Sequence, residues 1–223
     1  MKINEVATPD IHRSIAANHG LLLSPDVKKF LAFCETVKSD CAPYIKEISG
    51  DVSGTQLHRG VIGTKKPYIA KRVRLEDRKP KDTSPEVHDA INQYFTKKFG
   101  APFRNAIFAT SDVDQAGEYA FGGYRTGEIY TIFPVGKFKY IWSPRIPDLL
   151  DSIYEYDLPG TTAGGEWKRF ADERLSTYQS TDLKSAINSS HEVMIRCEEY
   201  YGIKYTDEID YKYWQAFEEL VKS

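Results

Sequence analysis

The sequence has few of the features that assign a chain to a specialised class of protein. Its 223 residues include 3 cysteines, an odd number with no CxxC pair, which is typical of free thiols in a reducing compartment. The 5 histidines show no metal-ligand spacing with these cysteines, so we expect no structural metal. No apolar run is long enough to span a membrane, and the first residues lack the apolar region of a signal peptide. We therefore expect a cytoplasmic protein without membrane contact.

An excess of charge of one sign is also missing. The formal net charge of −2 gives no general attraction to nucleic acid or to an anionic membrane. With 41% hydrophobic and 28% charged residues, the chain can bury an ordinary globular core. Tyrosine is frequent, at 15 residues, and suits either a sheet core or a pocket, of which the core is the plainer interpretation. From the length we expect a helical N-terminal lobe (residues 1–50) before one main domain (residues 51–223).

Helix starts and stops are the clearest local signals. Ser24-Pro25 and Ser84-Pro85 each place a capping hydroxyl before a proline at the first helical position. Gly100 follows two lysines and predicts the end of the second of these helices. The apolar patterns predict further helices over 44–48, 112–120, 147–156, 166–177 and from Asp207 to the C-terminus.

Short apolar runs bounded by turn residues predict strands over 55–62, 105–108, 129–133, 138–142, 191–197 and 200–205. Pro134-Val-Gly136 favours a hairpin between the third and fourth of these strands, or at least close neighbours. We expect the sixth strand to be the antiparallel partner of the fifth. The basic block at 65–81, the glycine-rich stretch at 157–165 and the polar stretch at 180–190 are predicted loops. The basic block also suits an acidic partner or nucleic-acid phosphates, although it has too few aromatic residues for a base-stacking surface.

Three stretches carry the candidate chemistry. Arg59-Gly60 places a guanidinium fork beside bare backbone, which suits a bidentate grip on phosphate, although a solvated strand arginine beside a turn glycine is the plainer interpretation. Ala109-Thr110-Ser111 ends a short strand and leads into a helix, so that a ligand can approach the backbone there. Ser190-His191-Glu192 places a carboxylate at the start of a buried strand.

In this order, the three stretches resemble the arginine–serine–glutamate class of mono-ADP-ribosyltransferases, which includes bacterial toxins and bacteriophage enzymes. The resemblance implies an α+β fold, a split β-sandwich with flanking helices. It implies that Arg59 holds the phosphates of NAD, which is the substrate, and that Gly60 offers backbone bonds to the nicotinamide amide. If a bacteriophage encodes the chain, the cytoplasm is that of a host cell.

The same resemblance implies roles for the other two stretches. Glu192 matches the catalytic acid, Ser111 the motif serine that acts with it, and Thr110 a neighbour of NAD. Tyr119, on the helix after the motif, is the nearest match to an aromatic residue that packs near the nicotinamide. Ala109 and Ser190 differ from the residues usual in the family.

These residue types also suit the chemistry itself. Breaking the nicotinamide–ribose bond builds an oxocarbenium-like cation, which a nearby carboxylate stabilises while arginine offsets the diphosphate charge. We therefore expect transfer of ADP-ribose from NAD to an unidentified macromolecular acceptor, a protein or a nucleic acid. Two alternatives stay open: an NAD glycohydrolase, and an inactive interaction or virion-associated protein of bacteriophage type with the same fold, which Ala109 and Ser190 favour.

Overall fold

The computed structural model describes residues 9–76, 78–80, 82–121, 127–158, 165–206 and 211–223. Most of the predicted glycine-rich loop, the first residues of the predicted last helix and part of the basic block lie outside these ranges. Within the described residues the fold is α+β, with two antiparallel sheets. No helix among them has both the length and the apolar character needed to cross a membrane.

The helices are α1 (Pro9–Asn18), α2 (Pro25–Asp40), α3 (Ala42–Glu47), α4 (Pro85–Phe99), α5 (Val113–Phe121), α6 (Leu149–Glu155), α7 (Gly165–Glu173), α8 (Leu183–Asn188) and α9 (Tyr211–Lys222). Short 3₁₀ turns cover Phe103–Asn105 and Leu175–Thr177. The strands are β1 (His58–Ile62), β2 (Tyr68–Arg72), β3 (Ile107–Ala109), β4 (Gly127–Pro134), β5 (Lys139–Trp142), β6 (Val193–Arg196) and β7 (Glu199–Lys204).

The predicted capping signals are confirmed. Ser24 Oγ accepts a hydrogen bond from the Val27 N–H at 3.2 Å, and Ser84 Oγ accepts one from the Val87 N–H at 3.2 Å. Gly100 closes α4 in the left-handed region, at φ 73°, where glycine carries no Cβ penalty. These helices follow from local side-chain chemistry, which a sequence displays directly.

The strands form a four-stranded sheet in the order β1-β4-β7-β2 and a three-stranded sheet in the order β3-β6-β5. A single antiparallel bridge, His58 with Thr110, links β1 to the end of β3. The His58 N–H donates to Thr110 O at 2.6 Å, and the Thr110 N–H donates back to His58 O at 3.0 Å. This bridge brings the start of β1, and therefore Arg59, to the end of β3 where the second motif lies.

Two predicted strand pairings are wrong. The strands predicted at 129–133 and 138–142 exist as β4 and β5, but they lie in different sheets and form no hairpin. The strand at 200–205 exists as β7, yet it pairs with β4 and β2 rather than with β6. Each strand has two edges, and both edges of β6 are already taken by β3 and β5.

Two predicted loops contain regular structure. The basic block at 65–81 includes β2, an edge strand whose partner is β7. The polar stretch at 180–190 includes α8, which Asp182 caps by accepting from the Ser185 N–H at 3.1 Å. Leu183, Ala186 and Ile187 are buried at helical spacing, but six residues are too few to display a period among polar neighbours.

The core has two parts. Helices α1, α2 and α3 share one apolar cluster with α9 and the four-stranded sheet, so packing crosses the predicted boundary at residue 50. The second cluster lies between α4, α6 and α7 and the outer face of the three-stranded sheet. The three cysteines are buried free thiols. As the core interpretation predicted, Tyr44, Tyr130, Tyr140, Tyr178, Tyr200 and Tyr201 are buried.

Helix α5 lies unusually close to β1 and β4 because small residues face one another. A Cβ added at Gly60 would lie 2.5 Å from Ala120 N and 2.6 Å from Ala116 O, which are backbone atoms of α5. A Cβ at Gly127 would lie 2.6 Å from Ala120 O. Gly60 is therefore required for packing, whatever else its backbone does. This contact fixes the position of Tyr119 relative to β1.

We expect Gly60→Ala to destabilise the protein by roughly 1–3 kcal/mol or more, because rigid backbone occupies the space that a methyl group needs. Gly117→Ala, on the same helix, is the matched control: its Cβ would make ordinary van der Waals contacts with side chains, the Ile129 Cδ1 at 3.6 Å and two Phe121 ring carbons at 3.8 Å and 3.9 Å. Alanine also favours a helix interior, so this control should be neutral or stabilising. Urea unfolding measures both variants, and equal effects would contradict the packing account.

Candidate functional site

A cavity of about 770 Å³ opens beside the bridge between the two sheets. Its walls come from β1, the segment after β2, the 3₁₀ turn before β3, helix α5 and the residue before β6. This volume lies in the range of sites that bind small molecules and cofactors. Arg59, Gly60, Thr110, Tyr119 and Glu192, all named from the sequence, line it.

Ser111 is the predicted site residue that the cavity lining does not include. Its hydroxyl donates to Ile187 O at the end of α8 and lies 3.3 Å from Ser190 Oγ. The Thr110 hydroxyl donates to Ser190 O at 2.9 Å. These bonds tie α8 and the turn before β6 to the end of β3. In this structure the second motif therefore positions backbone, and the Ser111 hydroxyl bonds to α8 and to Ser190 instead of lining the cavity.

Glu192 is held at the edge of the cavity by its backbone. Its N–H donates to Pro147 O at 2.8 Å, just before α6, and its side chain is buried with 6% exposure. Within the described residues, Glu192 Oε1 has no hydrogen-bond partner. A buried carboxyl oxygen without a partner is costly, and such groups concentrate at functional sites.

The surroundings of Glu192 favour its neutral form. Burial, followed by the charge of nearby Asp148, raises the pKa of this carboxyl to about 8. Arg104, the Leu149 N–H and Arg78 act in the opposite direction but do not cancel the effect. At neutral pH the carboxyl is therefore mostly protonated.

Asp148 connects Glu192 to helix α5. One of its oxygens caps α6, accepting from the Leu150 N–H at 2.6 Å and the Asp151 N–H at 3.4 Å. Its other oxygen accepts from the Tyr119 hydroxyl at 2.5 Å and from Gln115 Nε2 at 3.5 Å. Asp148 therefore holds the Tyr119 ring at the cavity wall, close to Glu192.

Around Phe108 the charged side chains are basic, in contrast to the acidic pair Glu192 and Asp148. Arg59 Nη1 donates to Phe108 O at 2.7 Å. The Arg78 and Arg104 guanidinium carbons lie 4.9 Å and 5.3 Å from the centre of the Phe108 ring. Burial, together with the charges of Arg59 and Arg104, lowers the pKa of Arg78 to about 10. Three guanidinium groups thus gather in one part of the cavity, and their mutual repulsion favours an anionic ligand.

Four more basic side chains lie on β2 and the segment after it: Lys71, Arg72, Arg74 and Lys79. Asp82 and Glu192 are the acidic residues among the described part of the lining. Arg59, for which a solvated position was the plainer prediction, is half-buried in this lining. The part of the chain that the structure describes contains no cluster of three metal-ligating side chains.

Sequence reasoning missed Arg78, Arg104 and Asp148. Arg78 was grouped with a predicted solvated loop, and Arg104 lies in the 3₁₀ turn that precedes β3. Asp148 had a usable signal, because aspartate is a typical capping residue and stands at the start of the helix predicted over 147–156, which the structure begins at Leu149. No sequence pattern shows that Arg78 and Arg104 lie close to Phe108, or that Asp148 lies close to Glu192.

Comparisons with protein-family models, with curated proteins and with solved structures returned no match. The interpretation of the site therefore depends on its residues and their geometry.

The raised pKa of Glu192 predicts a pH dependence of stability. The folded state holds this proton between about pH 4.5, the ordinary pKa, and about pH 8. Its contribution to stability is complete below the ordinary value and is lost as the pH rises through the folded-state value. Glu192→Gln removes this dependence, so the variant should gain stability relative to wild type as the pH rises from 5 to 9.

Urea unfolding at a series of pH values measures this difference. We expect the relative gain to reach at least about 1.4 kcal/mol, which corresponds to a tenfold change in proton affinity. Glu198→Gln is the control, because Glu198 is exposed and lies outside the cavity lining. Parallel stability curves for wild type and Glu192→Gln would show that Glu192 is not held in its neutral form.

Proposed function

We propose that this protein transfers ADP-ribose from NAD to a macromolecular acceptor and releases nicotinamide. The observation that carries the proposal is the buried Glu192 carboxyl, which shares a cavity with a cluster of arginines and has one oxygen without a partner among the residues that the structure describes. NAD carries a cationic nicotinamide ring, which suits a position next to the Glu192 carboxyl, and a diphosphate, which suits a position next to the guanidinium groups. The proposal also draws on the resemblance of the three motifs to mono-ADP-ribosyltransferases, including their split-sandwich fold.

In the proposed reaction, the bond between ribose C1′ and the nicotinamide nitrogen breaks, and the electron pair leaves with nicotinamide. The acceptor then forms a bond to C1′ and loses a proton. Ionised Glu192 stabilises the positive charge that develops on the ribose. The positive charge of the nicotinamide ring favours this ionised form, because an opposite charge nearby lowers the pKa of a carboxyl.

The other predicted residues have supporting roles in this proposal. Arg59 offers a fork for phosphate from β1, as the resemblance implies. Tyr119 presents its ring to the cavity while its hydroxyl is held by Asp148, so the ring has a fixed position for packing against nicotinamide. Thr110 and Ser111 hold the backbone around the site through their bonds to Ser190 and Ile187.

One observation favours the alternative of an inactive protein with the same fold. The Ser111 hydroxyl donates to Ile187 O, and Ala109, paired with Val193, offers no hydroxyl. No motif serine therefore orients Glu192 in this structure. The outcome of an activity measurement separates this alternative from the proposal.

The decisive variant is Glu192→Gln, which keeps the size of the side chain and removes its charge. NAD should still bind, while nicotinamide release falls about 100-fold or more, because the charge acts in the transition state. The assay uses NAD labelled in its adenosine part, with and without cell lysate. Label that appears on a macromolecule supports transfer.

Glu198→Gln, exposed and outside the cavity, should retain the wild-type rate. If free labelled ADP-ribose is the only product, the reaction is hydrolysis and not transfer. If NAD remains unchanged, the result favours the inactive alternative. A Glu192→Gln variant that releases nicotinamide at the wild-type rate would show that another group carries the reaction.

A further inference from the structure

We propose that Arg78 and Arg104, whose guanidinium carbons both lie within 5.3 Å of the Phe108 ring centre, form a phosphoryl-binding subsite that takes a diphosphate group. The choice of a diphosphate deepens the proposed function and rests on it. The subsite itself follows from geometry, and it lies outside the three motifs.

The first argument is that the positive charges of the arginines in the cavity are not balanced by ion pairs within the described residues. Arg78 and Arg104 both lie within 5.3 Å of the Phe108 ring centre, and Arg59 is bonded to the carbonyl of the same residue. Within the described residues, no carboxylate forms an ion pair with any of these three arginines. Structural arginines in a folded interior are usually paired with acids. Three unpaired cations in one cavity are typical of an anion site.

The second argument is that neutral groups position both arginine residues. Arg78 Nη1 donates to Ala106 O, and the Phe108 ring offers its face to both side chains. The backbone N–H of Arg104 donates to Asn92 Oδ1 at 2.8 Å. A backbone carbonyl, a side-chain amide and an aromatic ring fix these positions without forming an ion pair, so both positive charges remain available to a ligand.

The third argument is an unused donor. Arg104 Nε is buried and, within the described residues, has no hydrogen-bond partner. The ring nitrogen His88 Nδ1 is also buried without a partner among these residues, and it is a donor in the tautomer in which Nε2 accepts from Asn92 Nδ2. Both residues line the cavity. An anion with several acceptor oxygens would satisfy such donors, and a phosphoryl group has the required number and charge.

Position distinguishes a diphosphate from the phosphates of a polynucleotide. Arg78 and Arg104 are half-buried in the same cavity as Glu192, where a small molecule fits. Arg72, Arg74 and Lys79 are exposed at the cavity mouth, where a longer chain would contact them first. A ligand that depends mainly on the inner pair is therefore compact.

The test is titration calorimetry with pyrophosphate and with ADP against the full-length protein. Arg78→Gln and Arg104→Gln should each weaken binding of both ligands at least about tenfold, because each removes a charge-assisted contact. Arg104→Lys should bind with intermediate affinity, since it keeps the charge but loses the planar fork. The matched control is Arg169→Gln, because Arg169 also lies over an aromatic ring, 5.0 Å from the centre of Tyr156, outside the cavity.

Thermal unfolding of each variant shows whether it is folded. If Arg78→Gln does not fold, Arg104→Lys still tests the subsite. A single-stranded oligonucleotide without terminal phosphates serves as the second probe. The subsite is contradicted if pyrophosphate binds Arg78→Gln and Arg104→Gln as it binds wild type. It is also contradicted if only the oligonucleotide binds and the loss follows Arg72→Gln or Arg74→Gln.

The same measurements separate this inference from the proposed function. Diphosphate binding that needs Arg78 and Arg104, in a protein that never releases nicotinamide, supports the subsite and refutes the reaction. Nicotinamide release with unchanged kinetics in both variants supports the reaction and refutes the subsite.

Discussion

Two backbone hydrogen bonds between His58 and Thr110 join the sheets, and the arrangement of the cavity depends on them. Through this bridge, β1 brings Arg59 to the carbonyl of Phe108, while β3 pairs with β6 and so places Glu192 nearby. Burial lowers the pKa of the His58 ring to about 4, so this residue adds no charge to the junction at neutral pH. The close packing of α5 on Gly60 supplies a further wall. The cavity is thus a consequence of strand pairing rather than of any single loop.

Opposite electrostatic conditions coexist within this cavity. Around Phe108, three guanidinium groups repel one another and favour an anion. Around Glu192, burial and Asp148 suppress a negative charge. Each condition is unfavourable in isolation, and each is relieved by a ligand of the opposite charge. A molecule that carries both a diphosphate and a cationic ring would relieve both, which is why NAD fits the proposal.

The sequence predicted what local chemistry decides. The capped helices at Ser24 and Ser84, the stop at Gly100 and most strands follow from neighbouring residues, and they are confirmed. Strand pairing was predicted wrongly, because β5 and β7 find partners far away in the chain. The motifs led to Arg59 and Glu192, whereas Arg78, Arg104 and Asp148 depend on convergence in space. Ser111 shows another limit of sequence reasoning. A residue can match a sequence motif although the motif does not determine which group its hydroxyl bonds to.

The account depends most on a cationic ring lying beside Glu192. Titration calorimetry at pH 7, in buffers that differ in protonation enthalpy, counts the protons released when NAD binds. ADP-ribose, which has the same diphosphate but no nicotinamide ring, is the reference ligand. The account predicts that NAD releases close to one proton more than ADP-ribose, and that the difference disappears in Glu192→Gln. Equal proton release for the two ligands in wild type would contradict it.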